Sequence, residues 1–248
     1  MTPWVIRLLV ANIAVFVVTE TVPGAFDALK LVPPQVPSRP WTPVTYMFVH
    51  VGFGHLFFNM LALYFFGPRL EIRLSSRHFV GLYFVAGLTG AVFSITTPVG
   101  IVGASGAVMG VLLAYAMLWP RDRIYLMGVV PIQAWLLIAI YVLADLSGAF
   151  RGGTGVAHLA HLGGFAGGFI YLKVLERLSA AARFRTRAAF APPPARSGDV
   201  ERWRRIDRDG LHPVNREELD RVLAKLEASG STSLTADERA FLDRFSGA

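Results

Sequence analysis

The sequence predicts an all-α polytopic membrane protein: six apolar helices followed by a small soluble helical hairpin. Three observations carry this. Of the 248 residues, 54% are hydrophobic and only 17% are charged, whereas soluble domains average about a quarter charged. The mean hydropathy is +0.49. Charges before Lys173 fall between apolar runs, and beyond it arginines and acidic residues mingle along a polar tail. The net charge of +7 is thus membrane topology plus a solvated tail, with no nucleic-acid partner expected. Cysteine is absent, which removes disulfides, thiolate metal sites and cysteine nucleophiles together.

Spanning a bilayer takes roughly 20 largely apolar residues, and six stretches qualify, at roughly 4–22, 53–70, 79–97, 104–119, 124–145 and 156–177. The first has Arg7 as its only basic residue and no A-x-A site after it, so it is expected to stay as a span. Between the first two lies "FDALKLVPPQVPSRPWTPVTYMFVHVG", too long and proline-rich for a hairpin and aromatic enough to lie in the interface. Arg69, Arg73, Arg77, Arg121, Arg123, Arg183, Arg185 and Arg187 fall on one side of this topology, against Lys30, Arg39 and Arg151 on the other. The positive-inside rule then puts both termini in the cytoplasm and Ser105 near the outer face. The expected location is a bacterial inner (plasma) membrane, crossed several times.

The spans make one domain, 1–180. "FAPPPARSGD" marks a Pro-rich linker, 181–199, and a cytoplasmic helical hairpin follows at 200–248. Asn215 with Glu218, and Thr235 with Glu238, have capping-box spacing, and Gly230 suits a helix C-cap. Leu219, Val222, Leu223 and Leu226 form one apolar stripe. Two helices are too few to hold a core alone, so this hairpin is expected to dock on something.

"IVGASGAVMG", residues 101–110, sets a hydroxyl between glycines at the start of the fourth span. It is not the strand-to-helix elbow G-x-S-x-G, because Gly106 comes one residue early and no strand precedes it. Two readings follow: small residues for close helix packing, or a nucleophile at a helix N-terminus. Polar groups inside a span are costly and are functional suspects. His55 and Asn59, four apart, share a face of the second span. His158 and His161 lie three apart on the sixth. Asp145, ending the fifth span, is better placed for the interface, so the cluster lacks a convincing acid. Gly103, Gly106, Ala107, Gly110 and Ala114 make a small-residue stripe on the fourth span, and Gly164 and Gly168 another on the sixth. Two smooth faces let backbones approach, and that approach would carry His161 toward Ser105.

A metal site is disfavoured, there being neither H-E-x-x-H nor a carboxylate beside the imidazoles. A pair of buried aspartates and an inverted-repeat ion pathway are both missing. Nucleophilic catalysis fits these residue types best. The N-terminus of the fourth span offers free N–H groups and a positive dipole end where an oxyanion would form. Water would reach it through an outward cavity lined by His50, His55, Asn59 and Ser105.

"GASGAVMG" resembles the G-x-S-G segment of the rhomboid family of intramembrane serine proteases. "HVGFGHLFFNM" is similar to its second helix and "AHLGGFAGG" to its sixth, in the same order from about Pro40 to Tyr171. The resemblance implies a six-helix rhomboid-like bundle with Ser105 as nucleophile and His161 as general base, in a dyad with no acid. His55 and Asn59 would join the Ser105 backbone N–H in the oxyanion hole. His50, Gly103, Gly106, Gly164 and Gly168 would support the site. Two positions depart from the family pattern: Trp41 is followed by Thr42 instead of arginine, and Met109 stands where an aromatic residue commonly supports the histidine. The implied function is an intramembrane serine endopeptidase that cuts peptide bonds in or near the transmembrane segments of membrane proteins. It would need no cofactor and no metal. Its partners are the lipid bilayer and its transmembrane substrates, with the oligomeric state left open. The alternative is a catalytically inactive relative that binds membrane clients.

Overall fold

Pro3, whose fixed φ suits a first helical turn, opens α1 (Pro3–Thr21). This and all that follows come from a computed structural model, which describes residues 1–126, 128–151, 156–189 and 197–246. The chain divides into two compact units, Met1–Glu176 and Arg177–Ala248.

In the first unit, the connection after α1 is ordered by its own short elements. These are α2 (Ala25–Leu29), a 3₁₀ turn at Pro33–Gln35, α3 (Thr42–Thr45) and a second 3₁₀ turn at Tyr46–Phe48. At the Trp41-Thr42 departure, Trp41 Nε1 donates to the Ala28 carbonyl at 2.9 Å and Thr42 Oγ1 to that of Arg39 at 2.8 Å. Arg39 itself donates to the Asp27 carbonyl at 2.8 Å, so the loop is pinned without an arginine after the tryptophan. The chain then turns by 92° into α4 (Gly52–Leu74).

The end of α4 supplies Glu71, a buried carboxylate that accepts the backbone N–H groups of Trp4 and Val5, each at 3.1 Å, and the Ser76 hydroxyl at 2.6 Å. It thereby satisfies donors that the first turn of α1 cannot satisfy itself. Ser75, at φ 73°, makes the tight turn into α5 (Ser76–Phe93).

Next comes α6 (Ser105–Leu118), enclosed by α4, α5 and α7 (Ala134–Arg151). Its small residues permit this, and Gly106, Ala107, Gly110 and Ala114 are all buried. At its far end Tyr115 donates to Asp122 at 2.8 Å, Arg69 of α4 pairs with the same carboxylate, and the Arg69 guanidinium lies 4.0 Å over the Trp119 ring. These contacts tie α6 to the end of α4.

Many large apolar side chains face outward: Val10, Ile13 and Val17 on α1, Phe58 and Phe65 on α4, Leu143 on α7. Such a surface is untenable in water and natural against lipid tails. By length and composition α1 and α7 can each cross a bilayer, and the bent pair Thr42–Phe48 with Gly52–Leu74 makes a third candidate. The chain is an integral membrane protein.

The fifth expected span, 124–145, is corrected. Its first part is an antiparallel hairpin of β1 (Arg123–Leu126) and β2 (Val130–Gln133), in which Ile124 faces Ile132 and Tyr125 faces Pro131. Gly128, at φ 75°, makes the turn. Pro131 and the β-branched Val129, Val130 and Ile132 oppose a helix there, although their hydropathy is that of a span. The helix therefore starts at Ala134 and runs to Arg151, which puts Asp145 inside it rather than at its end. The last apolar helix, α8 (His158–Ala189), runs on past the expected boundary at 180. Of the expected linker, 190–196 lie outside the described residues.

The second unit contains α9 (Ser197–Arg204), α10 (Pro213–Ser229) and α11 (Ala236–Ser246). Leu219, Val222 and Leu226 do form one buried stripe, but they pack on Trp203 and Ile206, and on Leu242 of α11. A third helix thus gives the expected hairpin a core of its own. The Thr235–Glu238 capping box is reciprocal: the Thr235 N–H donates to Glu238 at 2.8 Å and the Glu238 N–H to Thr235 Oγ1 at 3.2 Å. The Asn215–Glu218 box does not form. Pro213 starts α10 earlier, His212 holds the cap position, and Glu218 pairs with Arg221. Gly230, at φ 75°, ends α10 by donating to the Leu226 carbonyl at 2.9 Å.

Candidate active site

The loop before α6 is held from outside. Leu31 and Ile101 exchange both backbone hydrogen bonds, at 3.0 and 2.7 Å, and the Gly103 N–H donates to the Tyr46 carbonyl at 2.9 Å. Tyr46 in turn donates its hydroxyl to the Gly87 carbonyl of α5 at 2.7 Å. His50 supplies the next tie. Its Nδ1 lies 3.2 Å from the Phe48 carbonyl, so that nitrogen carries the proton and Nε2 is free to accept the Ala104 N–H at 3.4 Å. The expected outward cavity is therefore corrected at one residue: His50 is fully buried and braces the loop from behind, at the residue that precedes Ser105.

Ser105 is the first residue of α6, where backbone N–H groups have no intrahelical acceptor. Its hydroxyl lies 2.8 Å from His161 Nε2. What brings α8 so close is the pair of glycine faces. A Cβ on Gly164 would collide with the Gly106 carbonyl, one on Gly168 would lie 2.8 Å from Gly110 Cα, and one on Gly106 would lie 3.1 Å from the Ala160 carbonyl. These approaches are too close for an ordinary side chain, so backbone touches backbone one turn beyond the Ser105–His161 contact.

Gly103 is required twice over. Its φ of +123° is a conformation that L side chains rarely adopt, and a Cβ there would lie 2.7 Å from His55 Nε2 and 3.5 Å from Ser105 Oγ. The His55 ring thus reaches the start of α6, with its centroid 5.0 Å from that of His50. Asn59, also buried, donates one amide N–H to the His55 carbonyl at 2.9 Å. The Ser105 hydroxyl and the imidazoles of His161 and His55 come together at the start of α6, and Asn59 lies one turn along α4 from His55.

Asp145 is the residue that sequence reasoning misplaced. It accepts from His161 Nδ1 at 2.9 Å and from His158 Nδ1 at 2.7 Å, both on the same oxygen, Oδ1. The side chains of His161 and Asp145 are only 12% and 7% exposed. An acid does stand behind the histidine, and His158 shares it. The signal is the single aspartate of the fifth span, hidden because the apolar strands β1 and β2 have the hydropathy of a helix and displace its apparent start toward the N-terminus. Among the described residues Asp145, His158 and His161 also form a group whose ligand atoms lie within 4.8 Å of one another, a spacing open to a divalent cation. Their nitrogen–oxygen distances are those of hydrogen bonds.

The rhomboid domain family model matches residues 37–177, more than half of the chain, and the chain belongs to the rhomboid family. It is 30% identical to RHOMBOID-like protein 12, mitochondrial, of Arabidopsis thaliana, over 65% of this chain and 55% of that one. It is 38% identical to Rhomboid protein 1, mitochondrial, of Saccharomyces cerevisiae, over 50% of this chain and 38% of that one. It is 31% identical to Rhomboid protease GluP of Bacillus subtilis, over 52% of this chain and 25% of that one. The chain thus spans about half or less of these three relatives.

Proposed function

We propose that this protein is an active intramembrane serine endopeptidase that hydrolyses peptide bonds in or near the transmembrane segments of other membrane proteins. The observation that carries the reading is the 2.8 Å contact between Ser105 Oγ and His161 Nε2 at a helix N-terminus. His161 takes the Ser105 proton as Oγ attacks the scissile carbonyl. That general-base step is worth on the order of 10²–10⁴ in rate. The oxyanion forms beside the Ser105 N–H, with His55 and Asn59 as further donors, each contributing about 3 kcal/mol when well aimed. His161 then returns the proton to the leaving amine, and water hydrolyses the acyl-enzyme by the same route in reverse.

The setting supports a substrate that lies in the bilayer. With 14 residues, α6 is roughly 21 Å long, short of the ~30 Å hydrocarbon layer. Its serine end can therefore sit below the membrane surface, where a locally unwound substrate helix presents its carbonyl. The full topology we assign has six spans, both termini in the cytoplasm of a bacterial cell, and Ser105 near the outer face. The second unit is then a cytoplasmic accessory module.

The test is cleavage of a model transmembrane substrate by the full chain in proteoliposomes. Wild type should cut it, Ser105→Ala and His161→Ala should not, and chelators should leave the rate unchanged. A folded wild type that binds the substrate without cutting it would establish the inactive client-binding alternative. Activity lost to a chelator and restored by zinc would move the chemistry to a metal at Asp145, His158 and His161.

A further inference from the structure

The geometry points to Asp145 as the positioning residue of His161, so that the proposed dyad works as a three-membered unit; the inference rests on Ser105 and His161 being nucleophile and base. A neutral imidazole has one donor and one acceptor nitrogen, and a general base must present the acceptor to the hydroxyl. As a carboxylate, Asp145 Oδ1, 2.9 Å from His161 Nδ1, can only accept. It therefore fixes the proton on Nδ1 and leaves Nε2, 2.8 Å from Ser105 Oγ, as the base. When that nitrogen takes the serine proton, the carboxylate is already in place to stabilise the imidazolium.

The second histidine completes the arrangement. A buried carboxylate is tolerated only with its hydrogen bonds made. His158 Nδ1 supplies one at 2.7 Å, on the same oxygen. The two rings stand edge to face, with centroids 6.5 Å apart at 87°. Helix α7 is shaped to receive His158: Gly148, three residues after Asp145, is buried against the ring, and a Cβ there would overlap Nε2, Cε1 and Cδ2. A glycine has been left where any larger side chain would expel the ring that steadies the carboxylate. The groups in contact with the His161 ring are thus Ser105 from α6 and Asp145 from α7, with the His158 ring edge to face on its own helix.

The experiment compares wild type, Ser105→Ala, Asp145→Asn and Gly148→Ala, each as the full chain in detergent. It measures kcat and KM on a transmembrane substrate and the rate of labelling by a fluorophosphonate. The amide introduced by Asp145→Asn offers an N–H that favours the opposite imidazole tautomer. This variant should therefore lower kcat and labelling together by about 10²-fold or more, with KM within threefold. Gly148→Ala, which leaves the reacting groups untouched, should lower kcat in the same pattern by a smaller factor. Histidine ¹⁵N spectra of the wild type, assigned by loss of the signal in His161→Ala, should show His161 with Nδ1 protonated. This readout needs no folded Asp145 variant. Wild-type kcat in Asp145→Asn, or an Nε2-protonated His161 in the wild type, overturns the role of Asp145 while Ser105 chemistry stands. A wild type that neither cleaves nor labels overturns the serine reading, and this inference with it.

Discussion

Gly164 of α8 meets Gly106 of α6 backbone to backbone, with no room between them for a single carbon. One turn away on the same seam, His161 meets Ser105. Packing and the candidate site are one feature here, because the approach of the two helices is what sets the hydroxyl–imidazole distance. Gly164→Ala should lower the melting temperature, with overpacking costing about 1–3 kcal/mol. It should also cut turnover at least tenfold. Unfolding by circular dichroism and cleavage kinetics measure the two, and wild-type values for both would separate the glycine face from the site.

His50 braces the loop through a buried bridge from the Phe48 carbonyl to the Ala104 N–H. In His50→Ala both backbone groups lose a partner, at a cost of about 1–3 kcal/mol for each left unsatisfied. The expected result is a less stable protein, with a lower kcat because Ala104 precedes the proposed nucleophile. Thermal unfolding in detergent checks the first and substrate titration the second.

The proposed mechanism gives His55 and Asn59 to the oxyanion and not to proton transfer. Single alanine substitutions should lower turnover by about 10²-fold or less, since the backbone donor at Ser105 remains. Loss as complete as in Ser105→Ala, in a folded protein, would give one of them the role of base.

Glu238 caps α11 and pairs with Lys225 at 2.8 Å, with Arg221 beside it. The Lys225 ammonium first, then the Thr235 N–H and Arg221, hold its carboxyl at about 2 against an ordinary value of 4.5. Because the folded state depresses this value, the stabilisation is complete above the ordinary range and is lost as pH falls from there toward about 2. Hydrogen exchange of α10 and α11 in the full chain, corrected for intrinsic rates, should show protection falling through that window. Glu238→Gln should flatten the dependence.

The Ser105–His161 contact of the candidate site was legible because its residues declare themselves locally. A serine between glycines, a histidine and asparagine one turn apart, and a histidine beside a glycine stripe are unusual inside apolar runs. What stayed hidden depended on helix boundaries. Hydropathy cannot separate a strand from a span, so the hairpin of β1 and β2 was absorbed into a helix and Asp145 was pushed to its end. Capping spacing is equally ambiguous. Thr235 and Glu238 form their box, whereas Pro213 starts α10 before Asn215 can cap it. His50 was found as a polar residue, but its brace of Ala104 runs through backbone groups that no side-chain pattern records.

The central claim is that Ser105 is a nucleophile activated by His161, and covalent capture tests it most directly. The full chain in detergent is incubated with a fluorophosphonate, digested, and the adduct located by mass spectrometry. The account predicts one phosphonyl group on Ser105 in the wild type and none in Ser105→Ala. In His161→Ala the labelling rate should fall by about 10²-fold or more. An unlabelled Ser105 in a protein that still cleaves its substrate would contradict it.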